Sequence, residues 1–180
     1  MSLVDSINSP EGQILSLFPS GTSLNEEKEL LIGGCSASEL ASTFGTPALI
    51  IDEAALRDRA RRYQDGLRSR WPNSEVIWAS KSLPLTSVFR IIGEEGLGVD
   101  IAGGGELVMA LAAGVNPSKI VMHGNAKTDD EIEMAVTAGV GTIVIDNFDD
   151  IDRLERIVKG EQAVLVRIIP GVLPETHLAN

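Results

Sequence analysis

The chain has 180 residues, 43% of them apolar and 4% aromatic, with a formal net charge of −11. That length suits one sizeable core, or one large domain with a short appendage, and the acidic balance excludes a broad nucleic-acid or anionic-membrane surface because phosphate would be repelled. A single cysteine, Cys35, excludes an internal disulfide and points to a reducing cytoplasm, while the sequence shows neither a membrane-length apolar run nor the basic and apolar blocks of a secretion signal.

Residues 1–45 read as a leader of weak periodicity, broken at Ser9-Pro10, Pro19-Ser20-Gly21 and Gly33-Gly34, with one short helix near 38–41. At Thr46-Pro47 the pattern changes. Residues 48–51 predict a short apolar strand, and Asp52 is a good N-cap for a helix over 53–70. From Glu75 onward, apolar strands at 75–80, 97–102, 119–123, 142–146 and 163–168 alternate with helical stretches near 85–95, 105–113, 129–138 and 148–158. The strand centres Ile77, Val99, Val121, Val144 and Val166 lie 22, 22, 23 and 22 residues apart. The helix from Asp129 opens on acidic residues and has Gly139 just past its end, as the helix dipole and C-cap preferences require.

Strands apolar on both faces, repeated between amphipathic helices, imply a parallel sheet. The even period predicts an α/β fold of the (β/α)₈ TIM-barrel type rather than a doubly wound sheet. A whole barrel takes about 250 residues. Only five barrel strands are found, so residues 46–180 are expected to be the N-terminal portion of an incomplete barrel, with open edges on its first and last strands. Residues 170–180 read as an irregular tail.

In a barrel the chemistry gathers at the C-terminal ends of the strands, and each end here carries an acid, a base or an amide. Lys81 follows a nearly apolar strand, where desolvation would favour the neutral amine that condenses with an aldehyde; the alternative is a lysine that merely snorkels to solvent. Asp100 and Glu106 flank the run Gly103-Gly104-Gly105, which either lets backbone approach a flat ligand or makes a tight turn with a favourable acid at the helix start. His123 and Asn125 could contact a ligand or satisfy a loop. Arg167, alone on an apolar strand, needs an anionic partner: either a structural acid such as Asp146 or a ligand group. Asp146 and Asn147 otherwise suit a helix cap. One cysteine and two histidines make no zinc pattern, and the sequence holds no P-loop, no serine nucleophile elbow and no EF-hand loop.

Read together, these strings resemble the alanine-racemase-like, fold-type III family of pyridoxal-phosphate enzymes, in particular its diaminopimelate, ornithine and arginine decarboxylase branch. Thr46-Pro47-Ala48-Leu49-Ile50-Ile51-Asp52 looks like the family's entry segment, and Trp78-Ala79-Ser80-Lys81-Ser82 is similar to its Tyr-Ala-x-Lys-Ala strand. Residues Gly98 to Leu107 resemble Gly-x-Asp-x-Ala-Ser-Gly-Gly-Glu-Leu, and His123-Gly124-Asn125-Ala126-Lys127-Thr128 resembles His-Gly-Asn-Asn-Lys-Ser. Residues Val166 to Val172 are similar to Val-Arg-Ile-Asn-Pro-Gly-Val, and Thr176-His177 to the pair that follows it. The sequence departs from the pattern at Trp78, Ser82, Gly103, Ala126 and Ile169.

The resemblance implies pyridoxal 5'-phosphate as cofactor and Lys81 as the catalytic lysine that carries it. Asp100, Glu106, Arg167, His123 and Asn125 would surround the cofactor, with Arg167 toward the phenolate side of its ring. It implies decarboxylation of a small amino acid, in the first place meso-2,6-diaminopimelate to L-lysine. Another diamino acid, a carboxynorspermidine-type substrate, a racemase and a catalytically silent relative remain the alternatives, as does a phosphate-binding barrel without pyridoxal. A cytoplasmic homodimer is the implied assembly. The ring-stacking histidine, the glycine-rich phosphate loop, the acid on the pyridine nitrogen and the family's C-terminal β domain have no counterpart in these residues, so the chain alone is expected to be inactive.

Overall fold

The structure is a computed structural model that describes residues 15–171. It divides into two compact units, Met1–Pro72 and Asn73–Asn180. Thr176, His177 and most of the expected tail lie outside the described residues.

The first unit opens with β1 (Ser23–Leu24), β2 (Leu30–Ile32) and β3 (Cys35–Ser36), an antiparallel meander inside the stretch read as a leader. Ser36 caps α1 (Ala37–Phe44) by accepting the Glu39 N–H. Asp52 is the N-cap expected for the next helix, α2 (Glu53–Arg68), its Oδ1 accepting the Ala55 N–H at 3.0 Å. The strand expected over 48–51 does not form. No neighbour among the described residues supplies its hydrogen bonds, and Leu49 stays 79% exposed.

The second unit follows the strand–helix period. Its elements are β4 (Ile77–Ala79), α3 (Thr86–Glu94), β5 (Gly98–Ile101), α4 (Gly104–Ala112), β6 (Ile120–Met122), α5 (Asp129–Ala138), β7 (Thr142–Ile145), α6 (Phe148–Ile157) and β8 (Ala163–Val166). The five strands pair in parallel in the order β4-β5-β6-β7-β8. Every strand lies beside its neighbour in sequence with no reversal, as in a singly wound barrel and unlike a doubly wound sheet. The sheet remains open here, β4 and β8 each having one partner among the described residues.

Side chains alternate across each strand, and the register sorts them into two rows. Ile101 pairs with Met122 and Met122 with Ile143, and all three are fully buried. The helices bury Phe89, Leu107, Ala110, Ile132 and Ala135 just as completely, which makes this the core face. On the other face Asp100 pairs with Val121 and Val121 with Thr142, and all are only half-buried. That second face carries the polar residues upward to the strand ends.

Helix ends are set locally. Thr128 and Glu131 form a reciprocal capping box at the start of α5, and Gly139, left-handed at φ 76°, closes it. Asn147 caps α6 through its side chain, which accepts the Asp150 N–H at 2.9 Å.

Candidate active site

A cavity of about 240 Å³ opens at the C-terminal ends of the strands, lined by Ser80, Lys81, Asp100, Ala102, Glu106, His123, Gly124, Asn125 and Arg167. All six residues singled out in the sequence therefore border one space. They come from four of the five strand ends, which parallel pairing sets level with one another.

Lys81 does not lie on the strand. β4 ends at Ala79, and Ser80–Ser82 form a 3₁₀ turn that delivers the amine to the rim. The side chain is exposed, so the desolvation argued from an apolar strand end is not supplied by the surrounding residues described here. Its neighbour Ser80 went unnoticed in the sequence. Ser80 is 1% exposed and its hydroxyl has no hydrogen-bond partner among the described residues, although it lines the cavity.

Asp100 and Glu106 are the cavity's two acids. Burial pushes the Asp100 carboxyl above the usual range and nearby Glu106 adds to the effect, while His123 and Lys81 oppose it. His123 Nδ1 stands 3.8 Å from Asp100 Oδ2, an electrostatic contact rather than a hydrogen bond. Glu106 reaches back to accept the Ala102 N–H at 2.5 Å, which fixes the turn entering α4. Arg167 continues β8 by donating its backbone N–H to Ile145 O at 2.9 Å. Of the two partners left open for its guanidinium, Asp146 is the one observed, with Arg167 Nη1 donating to Oδ1 at 2.6 Å.

The turn holding His123 and Asn125 depends on Gly124. Its φ is +113°, and a side chain there would bring a Cβ to 2.6 Å from Ala102 O, so backbone lies directly against backbone. Asn125 places its carbonyl 3.4 Å from Asn147 Nδ2, which donates to it. Glu131 supports the glycine run from the neighbouring helix. Its Oε1 accepts the Gly104 N–H at 2.8 Å and its Oε2 the Thr128 N–H at 3.0 Å. These bonds, the Gly104 one foremost, hold its carboxyl below the usual range. The capping-box pattern Thr-x-x-Glu is readable in the sequence, but its reach to a second helix is not.

Residues 53–179 match the family of pyridoxal-dependent decarboxylases, pyridoxal binding domain. The chain belongs to this family. Within it, the diaminopimelate decarboxylase of Actinosynnema pretiosum subsp. auranticum is 44% identical over 163 residues, 91% of this chain and 36% of that protein. The crystal structure of diaminopimelate decarboxylase from M. jannaschii superposes with a TM-score of 0.79 at 31% identity, covering 89% of this chain and 38% of that one. Its co-complex with L-lysine gives 0.78 at 30% identity, covering 88% and 38%. The chain thus spans somewhat over a third of the length of these pyridoxal-dependent relatives. As a pyridoxal-binding domain it contributes the first strands of an α/β barrel, which agrees with the singly wound sheet.

The residues of the cavity fit such a cofactor. A solvent-facing amine, a buried hydroxyl without a partner and a guanidinium steadied by a carboxylate are donors suited to an aldehyde and ring oxygens.

Proposed function

We propose that the full-length protein is a pyridoxal-phosphate-dependent carboxy-lyase that converts meso-2,6-diaminopimelate to L-lysine. The observation that carries this reading is the convergence of Lys81, Asp100, Glu106, His123, Asn125 and Arg167 on one cavity at the strand ends. The substrate is supported by relatives named diaminopimelate decarboxylase, one of them solved with L-lysine. Residues 46–180 are read as the N-terminal part of the pyridoxal-binding barrel, and residues 1–45 as a leader to it.

Lys81 would hold the cofactor, which when bound supplies the electron sink for loss of carbon dioxide. The chain's own residues orient and tune. Arg167, paired with Asp146, lines the cavity and would face the phenolate side of the cofactor ring. Asp100 offers a carboxyl of raised pKa within electrostatic reach of His123 and Lys81. Glu106 holds the turn that positions Asp100, and His123 with Asn125 lines the mouth. The protein is read as a cytoplasmic homodimer, which size-exclusion chromatography with light scattering of the full-length protein checks.

Lys81→Ala in the full-length protein is expected to abolish the visible absorbance of the bound cofactor and the borohydride-fixed label, together with carbon dioxide release from diaminopimelate. Label retained at another residue refutes the assignment. The departures at Gly103, Ala126 and Ile169 leave open, as a second reading, a decarboxylase of another diamino acid or of a carboxynorspermidine-type substrate. Comparing kcat/KM for diaminopimelate and ornithine separates the two.

A further inference from the structure

Lys127 and Asp150 are buried outright, at 2% and 0% exposure. Lys127 Nζ donates to Asp150 Oδ2 at 2.8 Å and to Gly124 O at 2.6 Å. The same Asp150 oxygen accepts the Asp146 N–H at 3.0 Å, and Arg153 Nη1 stands 3.6 Å from the other oxygen. A buried ion pair is a costly way to gain stability, because apolar residues of equal volume do at least as well once desolvation is counted. What apolar residues would not do is fix directions.

The pair joins two loops, one in the cavity wall and the other holding a residue that lines it. At one end is Gly124, between His123 and Asn125 in the cavity wall. At the other is Asp146, whose carboxylate takes Arg167. A continuous run of bonds therefore leads from the Gly124 carbonyl through Lys127, Asp150 and Asp146 to the Arg167 guanidinium.

We propose that the Lys127–Asp150 pair is a positioning device that holds the His123–Asn125 turn and Arg167 at a fixed separation across the cofactor cavity. The inference rests on the pyridoxal reading of this site. Neither side chain lines the cavity, and both act through their neighbours.

Two matched double variants of the full-length protein test it, read by titrating the apoprotein with pyridoxal phosphate. Lys127→Met/Asp150→Leu removes both charges together and leaves no lone buried ion. It is expected to melt near the wild type yet bind the cofactor about tenfold or more weakly, since small displacements of positioning groups carry large penalties. Lys127→Gln/Asp150→Asn keeps a donor and an acceptor in place without charge and is expected to return affinity to within about threefold. Wild-type affinity in the apolar pair overturns the proposal, as does an equal loss in both pairs.

Should the apolar pair not fold, Lys127→Gln/Asp150→Leu takes its place: it keeps a donor for Gly124 O, removes the acceptor of the Asp146 N–H and leaves no buried charge. Retained affinity in the polar pair with about tenfold loss in Lys127→Gln/Asp150→Leu supports the device. Equal or reversed losses overturn it. Wild-type apoprotein that fails to take up pyridoxal phosphate at all refutes the functional reading instead, so the two failures are distinct.

Discussion

Asp100 sits low in the cavity with its carboxyl disfavoured as an anion, chiefly by burial. The folded state therefore binds a proton more tightly than the unfolded chain does. Folding is favoured by this group below the ordinary carboxylate range, and the advantage is lost as pH rises through the raised value. Asp100→Asn is accordingly expected to raise the melting temperature of the apoprotein at pH 7 by about a degree or two, with the gain shrinking toward pH 4. A gain that is independent of pH would contradict the burial argument. Cofactor affinity is expected to fall in the same variant, because the carboxyl faces His123 and Lys81. The positions of Lys81, Asp100 and Arg167 were legible in the sequence, since one polar residue ending each apolar strand is an unusual pattern. Ser80 was not: a serine beside a lysine says nothing until its hydroxyl is seen buried and unpartnered.

Among the elements, the start of α4 is held by a side chain from α5. Glu131 accepts the Gly104 N–H while closing its own capping box with Thr128. Glu131→Gln is expected to cost about 1 kcal/mol, the usual size of a lost cap interaction, seen as a lower urea midpoint for the full-length protein. The contribution is present above the ordinary carboxylate range and lost as pH falls through the lowered value, so wild type and variant should converge in acid. Which elements form was largely readable: Asp52 as a cap, Gly139 as a stop and the 22-residue period each act within one helical turn or one repeat. The meander of β1 to β3 was missed because strands of two or three residues are too short to display alternation. The strand expected at 48–51 failed for the opposite reason. An apolar run supplies propensity, but a strand also needs a partner edge.

For the molecule as a whole, the open side of the sheet is apolar. On β8, Leu165 and Val166 are 56% and 66% exposed, and Ile168 and Ile169 beyond it are more so. An uncovered edge of this kind templates pairing with other chains. Residues 1–180 produced alone are expected to form open-ended aggregates and bind a hydrophobic dye, measurable by light scattering and fluorescence, whereas the full-length protein should stop at a discrete dimer and leave the dye unbound. Strand order adds a consequence for synthesis. Because the strands of this sheet pair only with their neighbours in sequence among the described residues, closure of every loop spans a short stretch of chain, and assembly can proceed from β4 toward β8 as the ribosome delivers each repeat. The growing edge is then always the newest strand, and the rim that receives Lys81, Asp100, His123 and Arg167 is laid down one repeat at a time, in the order of translation.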